Sequence, residues 1–392
     1  RRPTFNQVMV WVGFGYVVTG LFVGGVLAGF GGQPGLPPSM AIWAIVLGMG
    51  SLTIMTSLLG IMAQKTGMNL ALISRYSYGQ KGVNIPMAVM ALLTLGWFAS
   101  ITGMVGQIWG SFVGNPSGII VFDPASIGYG AIPAITLEEF LSCVVFGMVF
   151  TVTAYYGIKA IEAIAIPVGP VILVIAMVVG VGMLKEGGGM DVFLTEANKL
   201  GGLGLGNGIT VVVGSWIAGA VMGVDLFRFN KSIKAVFAGV FACFVFTNPL
   251  LNIVGYIGAV SVGQFNYVEW MLTKSLLLAI IGVFAWTASL WTTNNAELYC
   301  NSLYTGPILA SYGKFVERKK LVLWAGIIGT IIGSLAFYQI FFATFITALG
   351  AAAPPLAGPL IADYFIIKKR NYIIENYDKE PDYRKSGIIS FL

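Results

Sequence analysis

The chain contains no histidine, only three cysteines and few charges, with Asp, Glu, Lys and Arg together making up 10% of its 392 residues. Each shortage excludes something. Without histidine the commonest general base at neutral pH and the commonest metal ligand are both missing, which weighs against membrane hydrolases and metalloproteases. Cys143, Cys243 and Cys300 have no CxxC or other ligand spacing and fall at or near the interiors of apolar runs, so they read as packing residues. A charged fraction of 10% beside 57% hydrophobic residues, against roughly 25% charged in a soluble domain, is the composition of an integral membrane protein.

What the chain has in abundance is long apolar runs. A helix needs about 20 such residues to cross the hydrocarbon core, and runs of that kind recur near 8–30, 39–63, 84–113, 134–157, 160–184, 208–229, 234–261, 273–293, 321–337 and 339–367. Ten spans are expected, in one all-α integral membrane domain over 1–392, with the longest connections near 114–135, 185–206 and 294–320. Of the 22 Lys and Arg residues, only Lys185, Lys199 and Lys274 fall in loops on one side; the rest, from Arg1 and Arg2 to Arg384 and Lys385, fall on the other. By the positive-inside rule the N-terminus is then cytoplasmic in a multi-pass protein of the plasma (inner) membrane. That topology accounts for the net charge of +6, and no nucleic-acid partner is expected. The first apolar run is span length and lacks a cleavage region, so no signal peptide is expected. A new apolar run opens at Gly387 and continues to Leu392, which suggests one or two further spans.

Two runs are interrupted by glycine, at Gly13-Phe14-Gly15 and at Gly214-Ser215-Trp216…Gly219…Gly223. They hold corresponding places in two sets of five spans, about 8–184 and about 208–367, ahead of a cytoplasmic tail at 368–386. Transporters built from inverted repeats place their broken helices there. Because each unpaired backbone group in hydrocarbon costs several kcal/mol, breaks survive only where they line a cavity. A binding site near the bilayer midplane is expected.

Three groups of residues bear on that site. Trp97 and Trp216 lie inside apolar runs, although Trp concentrates at membrane interfaces. Singly each reads as core packing; beside the helix break the pair suggests two indoles sandwiching a planar heterocycle. Ser289, Thr292 and Thr293 share one helical face, and with carbonyls of a broken helix they would form a neutral oxygen cage suited to Na+; the alternative is that they bond back to their own helix. Asp225 and Arg228, spaced i,i+3, can pair near the cytoplasmic mouth as a structural or gating contact, with Glu162 and Asp363 at similar depth. The amphipathic segment from Lys65 to Gly79 is too short to span, and is either an interfacial helix or a gate against the bundle.

Lys65-Thr66-Gly67, Arg75-Tyr76-Ser77-Tyr78-Gly79, Gly96-Trp97-Phe98, Asp225-Leu226-Phe227-Arg228-Phe229, Trp291-Thr292-Thr293-Asn294 and Pro354-Pro355…Gly358…Ile361-Ala362-Asp363-Tyr364 are the segments in which the chain resembles the nucleobase:cation symporter-1 family of cytosine, purine and allantoin permeases and hydantoin transporters. The resemblance runs along nearly the whole chain. It implies a leucine-transporter-like five-plus-five inverted repeat with helices 1 and 6 broken, commonly followed by two further helices. It also implies that Trp97 and Trp216 bracket the substrate ring, with Ser215 beside them and Asn294 on the ring's polar edge. Na+ as coupling ion would take the hydroxyls of Thr292 and Thr293, backbone near Ser289, and carbonyls near Gly13 and Tyr16. The chain departs from the cytosine-permease pattern in carrying Thr94 for a Gln, Ala218 for a Ser and Ser289 for an Asn. Losing an amide and a hydroxyl argues against cytosine and for a larger ring such as a purine. The expected function is import of a nucleobase by Na+ symport with alternating access, by a monomer and not an enzyme. Proton coupling, an allantoin, hydantoin or vitamin ring, and a receptor that binds such a ligand without moving it are the alternatives.

Overall fold

A computed structural model describes residues 2–130 and 132–391, so the Arg1 charge and the end of the C-terminal apolar run at Leu392 lie outside the described residues. The first apolar run is divided into α1 (Thr4–Gly15) and α2 (Val18–Leu27) by Tyr16 and Val17, whose ψ values of 77° and 146° leave the helical region. The two axes meet at 45°. The next run forms α3 (Pro38–Thr66), which starts on a proline where no N–H is needed and stops at Gly67 with φ +71°. A short helix α4 (Leu70–Tyr78) follows, capped by the Asn69 side chain accepting from the Leu72 N–H.

Three long helices come next: α5 (Asn84–Val113), α6 (Leu137–Tyr156) and α7 (Ile158–Glu186). The loop between α5 and α6 holds a small antiparallel pair, β1 (Ile120–Phe122) with β2 (Ile135–Thr136). The second half contains α8 (Gly189–Ala197), α9 (Leu205–Phe227) and α10 (Ile233–Val240), which runs through a π-helical turn at Phe241–Thr247 into α11 (Asn248–Val262). Then come α12 (Tyr267–Leu272), α13 (Leu276–Ser311), α14 (Arg318–Ser334), α15 (Phe337–Ala352), α16 (Pro354–Ala362) and α17 (Lys385–Phe391).

Seven helices among the described residues are long and apolar enough to cross a membrane, and α1 with α2 makes an eighth if counted as one bent span. The ninth and tenth expected spans appear as shorter helices, with 17 residues in α14 and 16 in α15. The turn at Ala336, with φ +61°, separates the two, and the pair Pro354-Pro355 stops α15 because proline cannot continue its hydrogen bonding.

Two boundaries differ from the expectation and both shape the site. First, α9 is one continuous helix, so its glycines do not break it. They admit neighbours instead: a Cβ on Gly219 would lie 2.7 Å from the Trp216 ring, and one on Gly223 would lie 3.1 Å from Trp11. A glycine inside a helix costs only about 1 kcal/mol, less than the unpaired backbone groups of a break in hydrocarbon. Second, α13 does not end at Thr293 but runs on to Ser311, 36 residues in all from Leu276, or about 54 Å at 1.5 Å per residue. Residues 294–311 are therefore helical and part of the bundle rather than a connection.

Helices α2 and α11 cross with their backbones nearly in contact. A Cβ on Gly24 would fall 2.1 Å from the Asn252 carbonyl oxygen, and one on Gly255 would fall 2.2 Å from that of Leu21. Small residues at such crossings let membrane helices pack closely. Gly24→Ala and Gly255→Ala should each destabilise the fold by about 1–3 kcal/mol, as overpacking does, and lower the melting temperature of the detergent-solubilised protein. Unchanged melting in both would show that the two backbones do not meet here.

The loops rich in Lys and Arg are joined to one another. The Arg2 N–H donates to the Phe229 carbonyl (2.8 Å), Gln64 to the Lys231 carbonyl (3.4 Å) and the Arg384 N–H to the Tyr78 carbonyl (2.9 Å), while Lys81 pairs with Asp382 (2.7 Å). Lys274, one of the three exceptions, pairs with Glu186 in the loops assigned to the opposite side (2.6 Å).

Candidate functional site

At the C-terminal end of α1 the last carbonyls have no partner within the helix, and the helix dipole adds partial negative charge there. Two residues from elsewhere reach these carbonyls. The Thr292 hydroxyl of α13, with one proton to give, lies within bonding distance of two carbonyls, Gly13 at 2.9 Å and Ser289 at 2.7 Å, and the Asn248 amide donates to the Gly15 carbonyl at 3.3 Å. Gly15 has to be small for this, since a Cβ would lie 2.9 Å from the Cys243 sulfur in the π-helical turn. Gly13, Ser289 and Thr292 therefore meet as a cluster of neutral oxygens, and among the described residues no group of His, Cys, Asp or Glu is placed to hold a metal.

Thr293 is the next residue of α13, and its buried hydroxyl has no partner in the protein. With Glu297 one helical turn later, Thr293 lines a cavity of about 20 Å³, room for about one water molecule. Trp97 of α5, Trp216 and Ser215 of α9, and Thr19 of α2 complete its polar and aromatic lining, and Phe14 and Val17 close it beside the bend between α1 and α2. Phe14 meets Trp216 edge to face, with centroids 5.0 Å apart, and Trp97 meets Phe345 in the same way at 5.5 Å. The cavity walls are almost sealed: Trp97, Trp216, Thr293 and Glu297 are each no more than 5% exposed.

Four of these buried side chains carry a polar atom with no partner in the protein: Thr19 Oγ1, Trp216 Nε1, Thr293 Oγ1 and Glu297 Oε2. Buried polar groups are nearly always hydrogen-bonded, so four such atoms around one cavity mark a place where a polar guest or water completes the bonding. Ser215 donates to the Val212 carbonyl at 2.8 Å and keeps lone pairs free for a donor.

The other expected site residues lie elsewhere. The Thr94 hydroxyl donates to the Met90 carbonyl and accepts from Asn301, which turns it into the packing of α5 against α13. Asn294 donates to Thr102 at 3.2 Å, also against α5, and Ala218 is buried in α9; none of the three lines the cavity. The Tyr16 hydroxyl pairs with that of Tyr267 in α12 at 2.6 Å, linking the helix bend to the short helix before α13. Asp225 and Arg228 do not form the expected ion pair. The Asp225 carboxylate is fully buried and accepts from the Leu70 N–H (3.1 Å) and the Tyr304 hydroxyl (2.8 Å), whereas Arg228 bonds the Asp225 backbone carbonyl and the Tyr299 hydroxyl. This draws α4 against the bundle, with seven of its nine residues buried, so it is a packed element of the protein. Glu162 is met by Gln7 and Arg2, and Asp363 by the Tyr372 hydroxyl, so both are structural.

Glu297 escaped the sequence reading. The polar cluster after Thr293 looks like the end of a span, and only the i,i+4 spacing of Thr293 and Glu297 could have placed the two on one face.

Residues 2–383 match the family described as permease for cytosine/purines, uracil, thiamine and allantoin. The chain belongs to that family. It is 28% identical to the cytosine permease of Escherichia coli (strain K12), over 94% of this chain and 80% of that protein. It is 27% identical to the hydantoin permease of Microbacterium maritypicum, over 90% of this chain and 71% of that one. Among solved structures it is similar to Mhp1, a nucleobase-cation-symport-1 family transporter in a closed conformation with bromovinylhydantoin bound, at 23% identity and a TM-score of 0.77, covering 96% of this chain and 80% of that one. A more distant likeness, to MhsT in complex with L-phenylalanine, has 12% identity and a TM-score of 0.66, over 98% of this chain and 94% of that one. This permease-family protein is thus a multi-pass membrane transporter and not an enzyme.

Proposed function

We propose that the protein imports a planar nucleobase-type heterocycle across the plasma membrane by Na+ symport with alternating access. The observation that carries this reading is the cavity itself. It brings two indoles from different helices and several unpartnered polar atoms together at the bend between α1 and α2. In this reading α1 and α2 are one broken span, α14 and the α15–α16 segment cross as the ninth and tenth spans, and residues 8–184 and 208–367 are the two repeats. The joined Lys- and Arg-rich loops then face the cytoplasm together with the N-terminus.

The space as it stands holds about one water, so the walls part to admit the ring, which then lies against Trp97 and Trp216, with Ser215 and Thr293 at its edge. The Na+ site is the oxygen cluster of Gly13, Ser289 and Thr292, favoured by the carbonyl end of α1. Tyr16, at the bend, has its carbonyl freed from helical bonding and is a further ligand, and Thr293 stands between ion and substrate. Two contacts are suited to alternate release: the Tyr16–Tyr267 pair on one side of the cavity, and the Asp225 bonds to Leu70 and Tyr304 on the other.

Uptake of labelled nucleobases into proteoliposomes is the test. An inward Na+ gradient should drive accumulation of at least one base, and collapse of that gradient should stop it. Accumulation driven by a proton gradient with no response to Na+ would overturn the choice of ion. Binding without accumulation would overturn transport.

A further inference from the structure

Helices α6 and α14 pack closely in their middles and part toward the Lys- and Arg-rich loops. A Cβ on Gly147 would collide with the Thr330 hydroxyl, and one on Gly326 with that of Thr151; small residues of this kind let membrane helices approach. One turn nearer the loops, at Tyr155 and Leu323, a cleft of about 230 Å³ opens, lined also by Thr151, Val152 and Tyr156. The Thr151 hydroxyl is spent on the Gly147 carbonyl at 2.7 Å, so the deep end of the cleft suits a hydrocarbon chain. Its rim is cationic. Residues 314–320 hold four cations and one acid. Arg318 is committed to the fold, donating to the Tyr155 carbonyl at 3.0 Å and lying over the Tyr299 ring. The Lys319 ammonium instead lies 4.9 Å from the centre of the Tyr155 ring, a wall of the cleft. Lys319 and Leu323 are spaced i,i+4, as are Lys320 and Trp324, so in both pairs a charge stands one turn nearer the loop than an apolar side chain on the same face of α14. Other cations on this side are neutralised, Arg2 by Glu162, Lys81 by Asp382, and Lys368 and Arg384 by Glu380. Among the described residues neither Lys319 nor Lys320 has a carboxylate within ion-pair distance.

The mouth of the cleft has the character of a membrane–water boundary. Tyr156 in its wall and Trp324 next to Leu323 are 70% and 62% exposed, and amphipathic rings of this kind settle at headgroup level. An occupant has to be apolar in the depth of the cleft and negative at its rim, and a lipid of the surrounding membrane joins both parts in one molecule. Basic pockets between spans recognise anionic headgroups in this way. We infer that the cleft between α6 and α14 binds an anionic phospholipid, with one acyl chain against Val152, Tyr155 and Leu323 and the phosphate held by Lys319 and Lys320. A zwitterionic lipid offers the same chain, but its own ammonium cancels the charge that the lysines attract. The bound lipid bridges two spans and stabilises their packing. The site shares no residue with the ring cavity, so the inference goes beyond the function proposed above.

Native mass spectrometry of the purified full chain in a neutral detergent tests it, with dioleoyl phosphatidylglycerol, dioleoyl phosphatidylcholine and glycerol phosphate as probes. Phosphatidylglycerol should fill one site with at least about fivefold higher affinity than phosphatidylcholine, the scale of one lysine's attraction to an anionic membrane, and should raise the melting temperature more. Glycerol phosphate, which has the phosphate and no chain, should do neither. Lys319→Gln combined with Lys320→Gln should bring the two lipids to nearly equal affinity. Leu323→Trp, which fills the cleft, should weaken phosphatidylglycerol by a similar factor with both lysines intact. All three positions are exposed, so these variants should fold, and the wild-type comparison decides even where one does not. Equal affinity for the two lipids, an unchanged preference in the lysine variant, unchanged affinity in Leu323→Trp, or glycerol phosphate binding as tightly as phosphatidylglycerol would each overturn the inference.

Discussion

Trp97→Ala and Trp216→Ala should each weaken heterocycle binding by about 1–3 kcal/mol, the range found when an aromatic platform for a base is removed. That is between about fivefold and 150-fold in affinity, and the double variant should lose more, though less than the product if the two rings clamp the same ligand. The environments of the indoles suggest the control. Trp216 also meets Phe14 and Phe244 edge to face, at 5.0 and 5.4 Å, so its removal loosens the helix bend as well as the cavity wall. Trp216→Phe should keep most of that packing and recover part of the affinity, and melting temperatures would separate a binding loss from a folding loss. Binding at wild-type affinity in both alanine variants would show that the ring lies elsewhere.

Thr292→Ala should raise the Na+ concentration needed for half-maximal substrate binding by about tenfold or more, on the scale of 1.4 kcal/mol per tenfold change. The substitution removes the one side-chain oxygen that bridges α1 and α13 at the Gly13 carbonyl. Linkage adds a second readout: substrate should raise Na+ affinity in the wild type by the same factor as Na+ raises substrate affinity, and Thr292→Ala should shrink both together. Thr292→Ser, which keeps the hydroxyl, is the matched control. Thr293→Ala should behave differently and weaken substrate binding even at saturating Na+, because its hydroxyl faces the cavity. If Thr292→Ala kept the wild-type Na+ response, the ion would not sit between Gly13 and Ser289.

Membrane class and most of the spans could be read from the sequence, because the free energy of placing an apolar segment in hydrocarbon adds up along a contiguous run and depends little on its neighbours. The uneven loop charges behave the same way, and Trp97 and Trp216 stood out because Trp inside an apolar run is unusual. Those are properties of residue type and order, and they carried the reading as far as a transporter with two aromatic walls. The remaining features depend on what each residue packs against. Glycine permits a break or a close approach equally well, so Gly13 and Gly15 could not be told from Gly219 and Gly223 until the Trp216 ring was seen over one and Trp11 beside the other. The polar run from Thr293 to Glu297 resembled a helix end because local hydropathy falls there; α5 and the cavity keep it helical by bonding Asn294 and leaving space for Glu297. Asp225 and Arg228 had the spacing of a pair, yet Leu70 and Tyr304, distant in sequence, reach the carboxylate first. Only the tertiary structure could decide these points, since burial and hydrogen-bond partnership are set by groups brought together from different helices, and no single segment encodes them.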